Sequence, residues 1–251
     1  MFKKINENNK GVFLKFSLFF IAVSIAFSYV GIFYSNKAAT DHVKTSLEAS
    51  LPAIPTIVID AGHGGEDGGA STYGGSPEKE LNLLIALDLR DMLEAAGFNV
   101  IMTRTEDTLL YDKNSDYKGH KKSMDLANRL KIARETEDAI LISIHMNAFP
   151  ETKYSGLQVY YSKNSPDSSS LAKLIQDMNK SVLSPDNDRK TKQAESNIYL
   201  LDRFEGTAVL IECGFLSNDA ERERLNTAEY RKELAVCFFA SVIKHVSKGG
   251  K

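Results

Sequence analysis

The sequence lacks the residues that stabilise small extracellular modules without a large core. Among 251 residues it has only two cysteines, Cys213 and Cys237, and no tryptophan. Two cysteines are too few for a disulfide-rich scaffold or a cysteine-rich zinc module. A strong charge of one sign is also absent, because 31 Lys and Arg nearly balance 33 Asp and Glu to give −2. The chain therefore has no broad positive field, which excludes nucleic-acid binding driven by net charge.

One long apolar run is present, near the amino terminus. Residues 16–34 carry no charge, and as a helix these 19 residues would span roughly 28 Å, close to the hydrocarbon core of a bilayer. Four lysines precede the run against one acid, and positive flanks stay in the cytoplasm. We interpret residues 1–34 as a membrane anchor, favoured by the length of the run, or as a cleaved signal segment ending near Ala26-Phe27-Ser28. Both interpretations export the rest of the chain.

The rest of the chain divides into a tether and one domain. Residues 35–54 are polar and end near two prolines, which indicates a tether, whereas residues 55–251 suit a single domain. Apolar, β-branched runs alternate there with helical patterns, which predicts an α/β domain with helices on both faces of the sheet. The predicted strands span 56–61, 98–102, 139–144, 157–161, 197–201 and 208–211, and the predicted helices span 80–96, 124–134, 168–183 and 228–246.

Polar side chains follow three of the apolar runs directly. These are Asp60 and His63 after the first run, His145 and Asn147 after the second, and Glu212 after the third. Ligands of α/β sheets bind beyond the carboxyl ends of the strands. We therefore expect the three sets of side chains to meet in one crevice.

The two histidines at strand ends, His63 and His145, indicate a metal site. Imidazole combined with carboxylate suits zinc, and a catalytic zinc keeps three protein ligands. The pattern of residues leaves the third ligand open between Glu78, at a predicted helix start, and Asp60 or Asp67. The remaining histidines have charged neighbours or lie in loops and are expected to be solvated: His42, His120 and His245.

Glu212 has a different predicted role. Its carboxylate directly follows an apolar run, so we expect it to be partly desolvated, which is unfavourable without a partner. A water activated by a nearby zinc would be such a partner, and a carboxylate in that position can act as a general base. Neither Cys213 nor Cys237 has activating neighbours in sequence, so both are expected to pack in the core.

Five blocks of sequence carry a resemblance to a known family. They are IVIDAGHGGEDGGA (57–70), EKELNL (78–83), MTRTED (102–107), SIHMNA (143–148) and VLIECGFLSN (209–218). In this order they resemble the zinc N-acetylmuramoyl-L-alanine amidases over residues 55–246, although Ala61 stands where the family commonly has proline. The resemblance implies that His63, Glu78 and His145 hold one zinc ion and that Glu212 is the catalytic acid/base. It also implies a mixed, roughly six-stranded sheet flanked by helices.

The activity implied by this resemblance is hydrolysis of the amide between N-acetylmuramic acid and L-alanine in peptidoglycan stem peptides. Asn147 is expected to hydrogen-bond substrate in the pocket. Arg104 and Arg129 are candidates for binding stem-peptide carboxylates, with a structural salt bridge as the alternative for each. Two other functions stay open: a non-catalytic peptidoglycan-binding protein on the same fold, and a zinc peptidase that cuts within the stem peptide.

A narrower resemblance concerns the biological setting. The polar stretch 107–125 and the single domain behind an apolar segment look most like the germination-specific amidases of spore formers, which act on spore-cortex peptidoglycan. This implies an exported enzyme, membrane-anchored or secreted, that faces the cell wall or the spore cortex. Some relatives need an activator, so an accessory activator protein is expected as a partner beside the substrate and the membrane.

Overall fold

A mixed sheet carries all of the strand-end residues singled out above. In a computed structural model of the protein, residues 54–70, 75–111 and 119–250 are described, so the predicted segment 1–34 and nearly all of the predicted tether lie outside the described residues. The strands are β1 (Thr56–Ala61), β2 (Val100–Met102), β3 (Ala139–Asn147), β4 (Gln158–Tyr161), β5 (Lys192–Gln193) and β6 (Thr207–Phe215). The helices are α1 (Glu78–Ala95), α2 (Lys121–Glu135), α3 (Pro166–Val182), α4 (Tyr199–Arg203), α5 (Asp219–Asn226) and α6 (Ala228–Val246).

The strands lie in the order β2-β1-β3-β6-β4-β5. Strands β2, β1, β3 and β6 are parallel, and β4 runs antiparallel to β6. The carboxyl ends of β1, β3 and β6 therefore lie side by side at one edge of the sheet. This confirms the predicted mixed six-stranded sheet and the convergence of the three strand ends.

Helices cover both faces of the sheet, as predicted. The larger core packs α1, α3 and α6 against one face, and it includes Ile57, Ile59 and Phe238. The smaller core packs α2 and α4 against the other face, where Val58 and Leu210 contribute. Burial on both faces explains why the central strands are continuous apolar runs rather than alternating ones.

The central strands β3 and β6 run further than their apolar stretches indicated. β3 continues to Asn147 and β6 to Phe215, and the two strands pair with His145 directly opposite Glu212. The predicted strands stopped too early, at residues 144 and 211, because the polar residues that follow do not continue the apolar pattern from which the strands were predicted. The extension places both side chains on the rigid sheet instead of on loops.

The predicted strand at 197–201 is wrong. Residues Tyr199–Arg203 form the short helix α4, in which Leu200 and Leu201 are buried in the smaller core. A short apolar run does not distinguish a strand from a buried helical turn, and here packing against α2 decides. Conversely, β5 consists of two exposed polar residues and is recognisable only by its pairing with β4.

The burial of one histidine differs from the prediction made from the sequence. His245 was expected to be solvated but is 2% exposed, because it lies on the buried side of α6 one turn after Ser241 and Val242. Both cysteines are free and buried, which agrees with their expected core positions.

Within residues 54–70, 75–111 and 119–250, none of the helices is long and apolar enough to cross a bilayer.

The larger core generates a stability prediction. Replacing the fully buried Phe238 by Ala should lower the free energy of unfolding by about 3–5 kcal/mol, through lost burial and a residual cavity. Val236→Ala on the same helix, at a half-exposed position, should change it by no more than about 0.5 kcal/mol. Urea denaturation of the purified chain measures both, and equal effects of the two variants would contradict this assignment of the core.

Candidate metal centre

Three side chains from separate segments meet at the carboxyl edge of the sheet. His63 follows β1, Glu78 is the first residue of α1, and His145 lies within β3. His63 Nε2 is 3.3 Å and His145 Nδ1 is 3.0 Å from Glu78 Oε1. One ligand atom from each residue lies within 4.8 Å of the others, so the group can hold a metal ion. The structure thus brings together the two strand-end histidines and Glu78.

Hydrogen bonds orient His63 and Glu78 toward each other. Asp67 Oδ2 lies 2.9 Å from Nδ1 of His63, which leaves Nε2 on the side of Glu78. Glu78 Oε2 accepts a hydrogen bond from the amide of Ala70 at 2.7 Å, and Oε1 accepts one from the amide of Met146 at 3.0 Å. Partners of this kind fix the ring orientation and basicity of metal-binding histidines. Asp67, considered from sequence as a ligand, is therefore the hydrogen-bond partner of a histidine.

The electrostatics keep Glu78 ionised. Burial alone would raise the pKa of Glu78, but hydrogen bonds and charge interactions with His145 and His63 outweigh it and hold the pKa well below its usual range. Burial would likewise lower the pKa of His63, whereas Glu78 and Asp67 raise it above the ordinary value. A carboxylate that stays ionised is the form that binds a metal.

Two glycines allow His145 and Glu78 to approach the backbone closely. A Cβ atom at Gly62 would collide with the ring of His145. A Cβ atom at Gly69 would lie 2.5 Å from Glu78 Oε2, and Gly69 also has a φ of 68°. The absence of side chains at these two glycines thus makes room for His145 and Glu78, which pack against the stretch after β1.

Glu212 lies beside the cluster but is not part of it. It is paired with His145 across β3 and β6, and its Oε2 is buried with no hydrogen-bond partner among the described residues. Burial raises the pKa of Glu212 to about 7, with Glu78 adding to the shift while His145 opposes it. A partly buried carboxylate with a raised pKa next to a cluster that can hold a metal is typical of a group that exchanges protons.

The cavity next to these groups measures about 250 Å³ and is lined by His63, His145 and Glu212. Helix α2 and the segment around α4 line it as well. They contribute charged side chains (Lys122, Asp125, Arg129) and apolar ones (Leu126, Ile198, Leu200). Hollows of about 600 and 710 Å³ exist elsewhere, but the His-Glu-His group is the cluster of this kind found among the described residues. Chemistry rather than volume identifies the site.

The predicted substrate-binding residues lie in different environments. Asn147 ends β3, partly exposed, and its carbonyl accepts a hydrogen bond from the amide of Leu216. Arg129 is buried and forms ion pairs of 2.7 Å with both Asp60 and Asp125. Arg104 is also buried, and its guanidinium donates to backbone carbonyls. This arrangement favours the structural alternative for both arginines.

Sequence analysis missed one residue that contacts the cluster. Asn82 is fully buried, and its amide donates to the carbonyl of Gly62 at 3.1 Å and approaches Glu78 Oε1 at 3.4 Å. An asparagine one turn after Glu78, on the otherwise apolar face of α1, was the available signal. A buried amide needs hydrogen-bond partners, and here the site supplies acceptors for Nδ2 of Asn82, whereas its Oδ1 has no partner among the described residues.

Comparison with known proteins decides the family. The model of the N-acetylmuramoyl-L-alanine amidase family matches residues 57–244, which include all three residues of the cluster and Glu212. The chain belongs to this family. The match covers nearly the whole part of the chain that the structure describes and confirms the resemblance found from the five sequence blocks.

Individual amidases show how far the similarity extends. The germination-specific N-acetylmuramoyl-L-alanine amidase of Bacillus subtilis is 36% identical over 202 residues, which cover 80% of this chain and 84% of that protein. The probable cell wall amidase LytH of Staphylococcus aureus is 34% identical over 71% of this chain and 54% of its own length. A solved structure, the CwlD amidase of Clostridioides difficile in complex with the GerS lipoprotein, aligns with a TM-score of 0.73 and 39% identity, over 77% of this chain and 98% of that one.

The packing of Gly62 in this amidase can be tested directly. Gly62→Ala should raise the dissociation constant for a divalent metal by at least about tenfold, because the added methyl displaces the His145 ring. Gly68→Ala is the matched control in the same loop, since a Cβ there meets no atom within 4 Å. Competition with a chromophoric chelator measures the affinity. Equal affinities of the two variants would show that the approach of Gly62 to His145 does not matter.

Proposed function

We propose that the protein is a zinc hydrolase that cleaves the amide between N-acetylmuramic acid and the L-alanine of peptidoglycan stem peptides. The observation that carries the proposal is the placement of Glu212, a partly buried carboxylate of raised pKa, in one cavity with His63 and His145 of the His-Glu-His group. A binding protein without catalysis has no use for an unpartnered carboxylate at that position, since burying it is unfavourable.

The proposed ligands of the single zinc ion are His63, Glu78 and His145. Two imidazoles and one carboxylate are a donor set found in catalytic zinc sites, which leave a fourth position for water or substrate. Their ligand atoms lie within 4.8 Å of one another without rearrangement, and the amidase family is zinc-dependent in general. When bound there, zinc supplies polarisation of the scissile carbonyl and acidification of a water.

Glu212 is proposed to move the proton. Its Oε2 atom is free of hydrogen bonds to described residues and can accept a proton from the attacking water. A pKa raised toward neutrality by burial suits the same carboxyl to return that proton to the departing amine of L-alanine. Glu212 is paired with His145 across the sheet, which holds its carboxylate beside the three proposed ligands. The group that accepts the proton therefore lies close to the water that gives it up.

The remaining side chains around the cavity suit an extended polar substrate. Asn147 lies two residues past His145 at the partly exposed end of β3, where its amide can hydrogen-bond a stem peptide. Lys122 lines the cavity with an exposed side chain, 3.4 Å from Asp67. Arg104 donates hydrogen bonds to backbone carbonyls and Arg129 forms buried ion pairs, so neither is proposed to contact the substrate.

The similarity to a germination-specific amidase suggests action on spore-cortex peptidoglycan. This requires export, which the apolar segment at residues 16–34 would provide as an anchor or a signal. A similar amidase was solved in complex with a lipoprotein, so an accessory lipoprotein is the proposed partner. Inactivity of the purified chain alone would therefore call for repeating each assay with such a partner.

Substitution of Glu212 tests the proposed reaction. Glu212→Gln should lower kcat/KM on peptidoglycan by about 10²–10⁴-fold, because the amide cannot accept the proton of the attacking water. Glu205→Gln, at an exposed position lining a separate hollow, is the control and should leave the activity unchanged. Mass spectrometry of the digest should find stem peptides with a free L-alanine amine and muramic acid without peptide.

Two outcomes would redirect the assignment. Fragments cut between amino acids of the stem peptide would indicate a zinc peptidase. Undigested peptidoglycan with wild type indistinguishable from Glu212→Gln, with the accessory partner present, would indicate a non-catalytic binding protein.

Metal removal tests the ligand set. A strong chelator should abolish activity, and one equivalent of Zn²⁺ should restore it. His145→Ala should bind less than one equivalent and should not be restored, because only two ligands remain. His120→Ala, at an exposed position ahead of α2, is the control and should behave as wild type. Zinc content by atomic absorption and thermal unfolding with and without Zn²⁺ provide readouts independent of activity; full activity after metal removal would refute the zinc assignment.

A further inference from the structure

Three consecutive backbone carbonyls after β1 point into the interior of the protein. They belong to Ala61, Gly62 and His63, here called the ligand turn, and two buried arginines meet them. Arg104 donates to the carbonyl of Ala61 at 2.8 Å and to that of Gly62 at 2.9 Å. Arg129 donates to the carbonyls of Ala61 and His63, both at 2.7 Å. Together the two guanidinium groups form a clamp around the ligand turn.

The backbone of the ligand turn needs such support. His63 has a φ of 61°, in the left-handed region that a residue with a Cβ rarely adopts. In this conformation the carbonyl of His63 accepts a hydrogen bond from Arg129 instead of pairing with a neighbouring strand. Buried carbonyls without donors are strongly unfavourable, so the conformation persists only where donors are supplied. The two arginines, each with several donors in one plane, supply them.

The clamp is itself held from several elements. Arg129 is ion-paired with Asp60 at the end of β1 and with Asp125 in α2. Asp60 also accepts hydrogen bonds from the hydroxyls of Thr103 and Ser143. Burial would raise the pKa of Asp60, but the Arg129 charge and the Ser143 hydroxyl outweigh it and lower the pKa to about 2. The pair is thus ionised at every pH at which the enzyme would act.

Arg104 has no carboxylate partner among the described residues. Its remaining donors bind the carbonyl of Lys79, in the first turn of α1, at 2.7 Å and that of Glu106 at 3.1 Å. The carbonyls of Gly62 and Lys79 share one nitrogen of Arg104, which links the turn that carries His63 to the helix that begins with Glu78. One arginine therefore sets the distance between the backbones of two proposed ligands.

We propose that Arg104 and Arg129 are positioning residues of the metal centre, which hold His63 at the place where its Nε2 meets Glu78 and His145. The inference rests on the proposed function, because zinc is the ion that the three ligands would share. This role in metal affinity differs from the two other roles considered for the arginines, which are contact with the substrate and general stabilisation of the fold. Ligand geometry must be kept within about 0.5 Å for tight binding, which a loosened turn does not achieve.

Arginine-to-lysine variants of the full chain test the clamp. Lysine keeps the charge but has one ammonium in place of the planar fork, so it cannot serve several carbonyls at once. Arg104→Lys and Arg129→Lys should each raise the dissociation constant for Zn²⁺ by about 10–100-fold. Arg189→Lys is the matched control, since Arg189 also donates to a carbonyl, that of Ser155, without touching the ligand turn. Its Zn²⁺ affinity should equal that of wild type.

Two measurements separate positioning from stability. The Zn²⁺ dissociation constant is obtained by chelator competition on protein shown to be folded by circular dichroism, and the visible absorption of the Co²⁺-loaded chain reports ligand geometry. We expect the clamp variants to change both, and Arg189→Lys to change neither. Arg104→Lys decides the matter if Arg129→Lys does not fold, because Arg104 has no ion pair among the described residues.

Specific results would overturn the proposal. Folded clamp variants with wild-type Zn²⁺ affinity and Co²⁺ spectrum would show that the arginines serve stability alone, while leaving the proposed amidase function intact. An equal loss of affinity in Arg189→Lys would show a general effect of destabilisation. A wild-type chain that binds no Zn²⁺ would instead refute the zinc hydrolase itself, so the two failures are distinguishable.

Discussion

The carboxylate of Glu78 is the group on which the centre of the molecule depends. Its Oε1 lies beside both histidines and accepts a hydrogen bond from the amide of Met146. Its Oε2 accepts a hydrogen bond from the amide of Ala70. The amide of Glu78 in turn donates to the carbonyl of Ala70. A buried carboxylate without such partners would be highly unfavourable. Because its partners come from the loop after β1 and from β3, Glu78 links the start of α1 to both segments.

Two carboxyl groups near His145 differ in the direction of their pKa shifts. Glu78 accepts several hydrogen bonds, which keep its pKa low, whereas Glu212 has a raised pKa and its buried Oε2 has no hydrogen-bond partner among the described residues. Environments that push the pKa values of two neighbouring acids apart suit the two groups to different roles. The parallel order of β1, β3 and β6 makes this separation rigid, since Glu212 and His145 occupy paired positions on adjacent strands.

The backbone around the ligands is as specialised as the side chains. Gly62 leaves room for the His145 ring, and the left-handed His63 turns its carbonyl toward Arg129. These features explain why a short stretch after β1 combines glycines with a histidine, and why two arginines distant in sequence are buried beside it. Local sequence shows the glycines, but nothing local shows which arginines will reach their carbonyls.

The sequence by itself determined the alternation of strands and helices, the strand-end placement of His63, His145 and Glu212, and, through resemblance, the family. Hydrophobic periodicity and motif order suffice for these because they are local properties. Tertiary structure decided that residues 199–203 are helical, that His245 is buried, and that Glu78 rather than Asp67 faces both histidines while Asp67 supports one of them. It also decided that Arg104 and Arg129 serve the ligand turn. Each of these depends on which distant segment a residue packs against, and that is set by the assembled sheet rather than by neighbours in the chain.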